Sequence, residues 1–283
     1  MSHQILHRVT ARMLWDDQFA RQVFEAPDQA LAGLDLDDEE RAALATLDPR
    51  ALRVDPLRRR RTLQALCAEL PVSVALTLSE LGRISSLDAY FQSAPFHRAM
   101  MARGSMFLAF TEYLRSLNLR CPQLPDVLRV EEALGVCRRE LERPCPRISA
   151  APVPTHVWTA RAPGVGVLTV DGETLTWMNA VQQTLFELSL IPAMGLVSDG
   201  PRVPPLSPPG EQAPKLLVVH PAAGGSGLLE LGRVVHTFLG QLDSPTLATD
   251  ALNQACRLGL SEAKAESLIF DLHEEGLIIA EAP

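Results

Sequence analysis

Lysine is nearly missing from this chain: Lys215 and Lys264 are the two among 283 residues. Aromatic residues are scarce too, at 5% with three Trp and two Tyr, so no stacking platform for nucleic-acid bases stands out. No run of about 18 apolar residues occurs, and no membrane span is expected. The opening MSHQILHRVTARMLWDDQF carries Asp16 and Asp17 where a signal peptide is apolar, so no secretory segment is expected either. The five cysteines (Cys67, Cys121, Cys137, Cys145 and Cys256) are odd in number and lack CxxC spacing. That usage points to reduced thiols and a cytoplasmic location.

Catalytic signatures are missing as well. The histidines (His3, His7, His97, His156, His220, His236 and His273) are scattered, with no HExxH and no Cys/His cluster of metal-ligand spacing, so no metal centre is expected in this chain. No GxSxG elbow is present. No GK[ST] follows the glycines at 224–227, which read as a turn between strands rather than a phosphate cradle. Glu131 and Glu132 are adjacent on a helix and point in different directions, which suits salt bridges better than acid–base catalysis. The chain reads as not an enzyme on its own.

What is present is a globular composition, 47% apolar and 21% charged, at a length that suits two modest domains. The net charge of −8 is unevenly placed. Residues 1–150 carry twenty Arg against twenty acidic residues, whereas residues 151–283 carry six basic residues against fourteen acidic ones. The whole deficit therefore lies in the C-terminal half, whose partner is expected to be neutral or basic rather than a phosphate backbone.

Periodicity and proline punctuation predict an N-terminal helical domain over 1–147. Helices are expected at 5–24, 37–47, 57–70, 73–81, 86–91, 96–117 and 124–141. The run Arg58–Arg61 is expected to be a solvated helix face or a carboxylate partner, and the methionine-rich stripe of 96–117 a core face. RPCPRISAAPVP (143–154) is a connector, and 198–214 is a proline-rich loop. The remainder, 155–283, is expected to be a winged-helix-like domain. It has short strands at 155–160, 165–170 and 174–178, with Asp171-Gly172 as a hairpin turn between the last two. A helix at 180–189, strands at 215–220 and 228–231, three helices reaching about 242, 245–257 and 261–275, and a terminal strand or wing at 277–280 complete it. The expected fold class is α+β.

A winged helix often binds DNA, so a transcription regulator is the competing reading. The third helix of that domain, SEAKAESLIFDLHEE, carries one lysine against five acids, a pattern that repels a duplex. The other use of such a domain is capture of a peptide as an added strand. On that helix Ala265, Leu268, Ile269 and Leu272 form the core stripe, and Phe270 falls about 140° away at 100° per residue. Phe270 stands beside Ser267, Asp271 and Glu274, where it could anchor an apolar, basic-flanked peptide lying along Leu228, Leu229, Glu230 and Leu231. The plainer alternative is that Phe270 packs on the helical domain or on the strands of 155–178.

The segments KLLVVHPAAGGSGLLELGRVVHTFLGQLDSPTLATDALNQA (215–255) and LSEAKAESLIFDLHEEGLIIA (260–280) resemble the peptide-recognition element of ribosomal-peptide biosynthesis, in the pattern of the small PqqD-type chaperones. QLPDVLRVEEALGVCRRE (123–140), followed by the strand around HVW (156–158), resembles partner proteins of the DUF692 multinuclear non-haem iron enzymes, as found in methanobactin and 3-thiaglutamate pathways. The resemblance implies a non-catalytic subunit that forms a heterodimer with the iron enzyme. It would hold the leader of a precursor peptide and present its C-terminal region, such as a Cys, for oxidative modification. Two or three Fe would belong to the partner, with no cofactor in this chain, and the Arg-rich helical domain would dock the acidic or metal-bearing partner. No nucleic acid and no membrane are expected as partners.

Overall fold

The computed structural model describes residues 2–53, 57–141, 158–189, 212–222 and 225–281. The connector 143–154 and nearly all of the loop 198–214 lie outside them. The chain is α+β and divides into two compact units, Met1–Cys121 with Gln182–Val203, and Pro122–Val181 with Pro204–Pro283.

The first unit is helical: α1 (Ser2–Trp15), α2 (Asp17–Glu25), α3 (Pro27–Ala30), α4 (Asp38–Ala45), α5 (Arg58–Glu69), α6 (Pro71–Leu81), a 3-10 segment (Ile84–Gln92), α7 (Ala94–Ala102) and α8 (Met106–Ser116). Two helices expected to be continuous are broken by capping side chains. Asp16 accepts from the Phe19 N–H at 2.9 Å and starts α2 afresh, so 5–24 becomes two helices. Arg103, Gly104 and Ser105 likewise interrupt 96–117, with Ser105 accepting from the Leu108 N–H at 3.3 Å. Asp37 and Glu40 form a reciprocal capping box at the start of α4. Arg41 then donates to the carbonyls of Leu31, Leu34 and Leu36, pinning the α3–α4 loop.

The scarce aromatics are concentrated here. Tyr90 meets Phe96 and Phe110 edge-on at 5.1 and 5.0 Å, and Trp15 stacks on Phe91 at 5.2 Å. Tyr90, Phe91, Phe96 and Phe110 are wholly buried, and each contributes roughly 2–3 kcal/mol by removal from water. The arginine run is partly spent inside this unit. Arg58 donates to the Leu14 carbonyl at 3.1 Å and lies near the Trp15 ring, and Arg59 pairs with Asp17 at 2.6 Å.

The second unit holds α9 (Leu124–Leu141), β1 (Trp158–Arg161), β2 (Gly166–Val170), the start of α10 (Thr174–Ser189), β3 (Lys215–Ala222), β4 (Gly225–Glu230), α11 (Arg233–Gln241), β5 (Thr246–Leu247), α12 (Ala248–Arg257), α13 (Glu262–Glu274) and β6 (Ile278–Glu281). Its strands form two antiparallel three-stranded sheets, ordered β5-β1-β6 and β2-β3-β4. Helix α9, which the punctuation assigns to 1–147, groups with these strands instead.

The sheet β2-β3-β4 is covered on both faces, which explains the unbroken apolar run of KLLVV. Val218 turns to a core formed with Phe238, Leu239, Ala251, Ala255, Ala265, Ile269 and Leu272 of α11–α13. The other face packs on α9. Leu217 and Val219 are fully buried, and a Cβ on Gly166 would meet Ala133 of α9 at 3.4 Å and Val219 at 3.8 Å.

One expected strand is a helix. Asp171 accepts from the Glu173 N–H with its side chain at 2.9 Å and from the Thr174 N–H with its carbonyl at 3.1 Å. The pair Asp171-Gly172 therefore opens α10 instead of turning a hairpin, and TLTWM (174–178) is helical, with Trp177, Met178 and Val181 buried. The terminal strand β6 pairs with β1 in the register Arg161↔Ile278 to Trp158↔Glu281. Thr246 and Leu247 pair with the other side of β1 and delay the second helix of the bundle to Ala248.

Candidate functional site: the open edge of β4

Strand β4 lies at the end of its sheet, and among the described residues no strand pairs with its outer side. Its register against β3 runs from Leu217↔Glu230 to Ala222↔Gly225. The Leu231 N–H donates to the Leu216 carbonyl at 2.7 Å, which fixes the alternation of the ladder. Leu231, Leu229, Gly227 and Gly225 turn their backbone groups toward β3. Ser226, Leu228 and Glu230 turn theirs to the open side. Pro221, which has no N–H to give, sits opposite Ser226 at a pair that exchanges no ladder bonds, so it fits this alternation without a lost bond.

The same register sorts the side chains. Leu229, opposite Val218, is on the face of the three-helix core, yet it remains 47% exposed because it sits at the sheet's margin. Leu231 is half-buried against that core. Leu228 is half-buried on the face of α9, opposite Val219, and Glu230 is exposed on that face and pairs with Lys215 at 3.2 Å. The strand lacks the usual protections of an edge: it has no proline, no lysine and no charge turned toward the core.

On α13, Ala265, Ile269 and Leu272 are buried as the stripe requires, and Leu268 is half-buried at the margin of the same core. Ser267, Asp271 and Glu274 are exposed, and Phe270 is 46% exposed. The structure thus leaves all four expected helix residues on the outer side of α13. The main contacts of β4 are with β3 and α9, and those of α13 are with α12 and β6. Both sets lie in one unit, the helix set exposed and the strand set exposed at Leu229 and Glu230.

Two features of the edge escape a reading by side-chain type. One is the outward backbone of Ser226, a residue whose side chain gives no signal; the proline five residues upstream is the hint. The other is His220, opposite Gly227. A Cβ on Gly227 would meet the His220 Nε2 at 2.6 Å, so the imidazole lies across the space over that glycine. No His/Cys/Asp/Glu group with the geometry to hold a metal ion occurs among the described residues. No single described helix is long and apolar enough to cross a membrane. No protein-family model matches the chain, and no curated protein sequence matches it.

Proposed function

We propose that this protein is a substrate-recruiting subunit that captures the leader of a ribosomally made precursor peptide as a strand added to β4. It presents the peptide's C-terminal region to a partner iron-dependent enzyme of the DUF692 type, which performs the oxidation. The observation that carries the reading is the edge of β4, unpaired among the described residues, with outward backbone groups on Ser226, Leu228 and Glu230 and the exposed side chain of Leu229. The order of elements supports it: an antiparallel sheet followed directly by three helices agrees with the recognition-element resemblance, and the winged-helix-like reading of this domain rests on the same order. Charge supports it too, because the exposed face of α13 carries Glu262, Glu266, Asp271, Glu274 and Glu275 against Lys264. Such a surface favours a basic-flanked peptide over a duplex.

Affinity for the cognate precursor peptide tests the reading. Leu229→Asp places a charge beside the docked strand and lowers affinity at least tenfold, and Phe270→Ala lowers it if α13 also touches the peptide. Unchanged binding in both variants removes the site from β4 and α13. Co-expression with the candidate iron enzyme should yield a stable heterodimer; separate elution of the two chains counts against the partnership. Tight, salt-sensitive binding to a short duplex would favour the regulator reading instead.

A further inference from the structure

Resting on the strand-addition reading, we propose that His220 is a specificity-determining residue of the β4 edge, accepting a hydrogen bond from a lysine or arginine of the docked peptide. His220 belongs to β3, the central strand, but its ring reaches outward over β4. The position it covers, Gly227, is the cross-strand partner that has no side chain to push it away. A Cβ on Gly227 would lie 2.6 Å from Nε2 and 3.0 Å from Cε1, so the two residues share one space.

The tautomer follows from the other ring nitrogen. Nδ1 is 2.7 Å from the Pro221 carbonyl oxygen, which can only accept, so Nδ1 carries the proton. In the neutral ring Nε2 is then an acceptor, and it occupies the place where β4 would otherwise project a side chain. Gly227 exchanges its backbone bonds with His220, so an antiparallel strand added outside β4 meets Gly227 at a pair without ladder bonds. There the two Cα atoms approach to about 4.5 Å and the side chains are closest. The docked residue opposite Gly227, on the face of the three-helix core, is therefore the one that meets Nε2. The acidic balance of residues 151–283 favours a cationic donor at that place.

The experiment uses a random dodecapeptide library displayed on phage and selected against the full-length protein. Wild type should enrich peptides with Lys or Arg at one position and apolar residues two positions to either side. His220→Phe should keep the apolar alternation and lose the basic position, and His220→Gln, which keeps an acceptor, should retain it. Gly227→Ala should reproduce the loss, because the new Cβ takes the space that the ring occupies. For a selected peptide, His220→Phe should lower affinity about tenfold, the scale of one charge-assisted hydrogen bond, and should leave a Lys→Met version of that peptide unaffected. Equal enrichment of the basic position by wild type and His220→Phe overturns the assignment while leaving strand addition intact. Failure of wild type to enrich any alternating motif overturns strand addition itself, and the subsite with it.

Discussion

His97 is a half-buried residue whose surroundings work against its charge. Its Nε2 lies 3.7 Å from Asp16 Oδ2, and the Arg12 Nε lies 3.6 Å from the same oxygen. Burial and the Arg12 guanidinium hold the imidazole below its ordinary value of 6.5, and the opposing pull of Asp16 is the weakest of the three. The folded protein thus binds this proton less readily than the unfolded chain. Stability from this residue is fully present above about pH 6.5 and is lost as pH falls below it. Thermal unfolding measured from pH 8 to 5 should show the midpoint falling with acidity, and His97→Asn should flatten that dependence. Arg103 is a second residue under local constraint, with φ at 51° where α7 ends. Glycine is preferred at such a helix terminus, so Arg103→Gly should stabilise the protein by about 0.5–1 kcal/mol in urea unfolding. Cys67 is chemically quiet for a related reason: burial pushes its thiol up to about 11. It should react with a maleimide at pH 7.5 only slowly until the protein unfolds.

Among the elements, β4 and α4 make the sharpest tests. A proline at Ser226 removes an N–H that faces the open side and leaves the β3–β4 ladder intact, whereas a proline at Leu229 removes a ladder bond. Ser226→Pro should therefore keep the unfolding midpoint and weaken peptide binding at least tenfold. Leu229→Pro should lower stability by about 1 kcal/mol or more, the net worth of the lost ladder bond. At α4, loss of the reciprocal cap in Asp37→Ala should cost about 1 kcal/mol. Elements of this kind were readable from the sequence where a stripe or an apolar run set them. The strands at 166–170 and 215–222 and the helices α9, α12 and α13 follow their hydrophobic patterns to within a few residues. Reading failed where a short polar side chain outweighed the pattern. Asp16 and Ser105 each split a periodic stretch by capping, and Asp171 turned a hairpin signal into a helix start. Such choices depend on which local hydrogen bond forms, and composition leaves both outcomes open.

At the scale of the whole molecule, the uneven charge and the division into units carry different meanings. The balanced Arg and acidic content of the first 150 residues is partly consumed within the helical unit, as Arg58 and Arg59 show. Among the described residues, the acidic side chains of the C-terminal half lie mostly on the surface, most plainly along α13. The position of α9 could not be read from proline punctuation, because its partners lie in strands that follow it by up to about ninety residues. Leu228, Leu229 and Glu230, expected on a strand, lie on the end strand of their sheet, but its register and the ring of His220 depend on pairing with β3 that no local pattern encodes.

Amide hydrogen exchange of the free protein and of its complex with the cognate precursor peptide tests strand addition most directly. In the free protein the amides of Gly227, Leu229 and Leu231 should exchange slowly, and those of Ser226, Leu228 and Glu230 rapidly. Peptide binding should slow the second set at least tenfold and leave the first unchanged. Tight binding that leaves Ser226, Leu228 and Glu230 as fast as before would contradict the account.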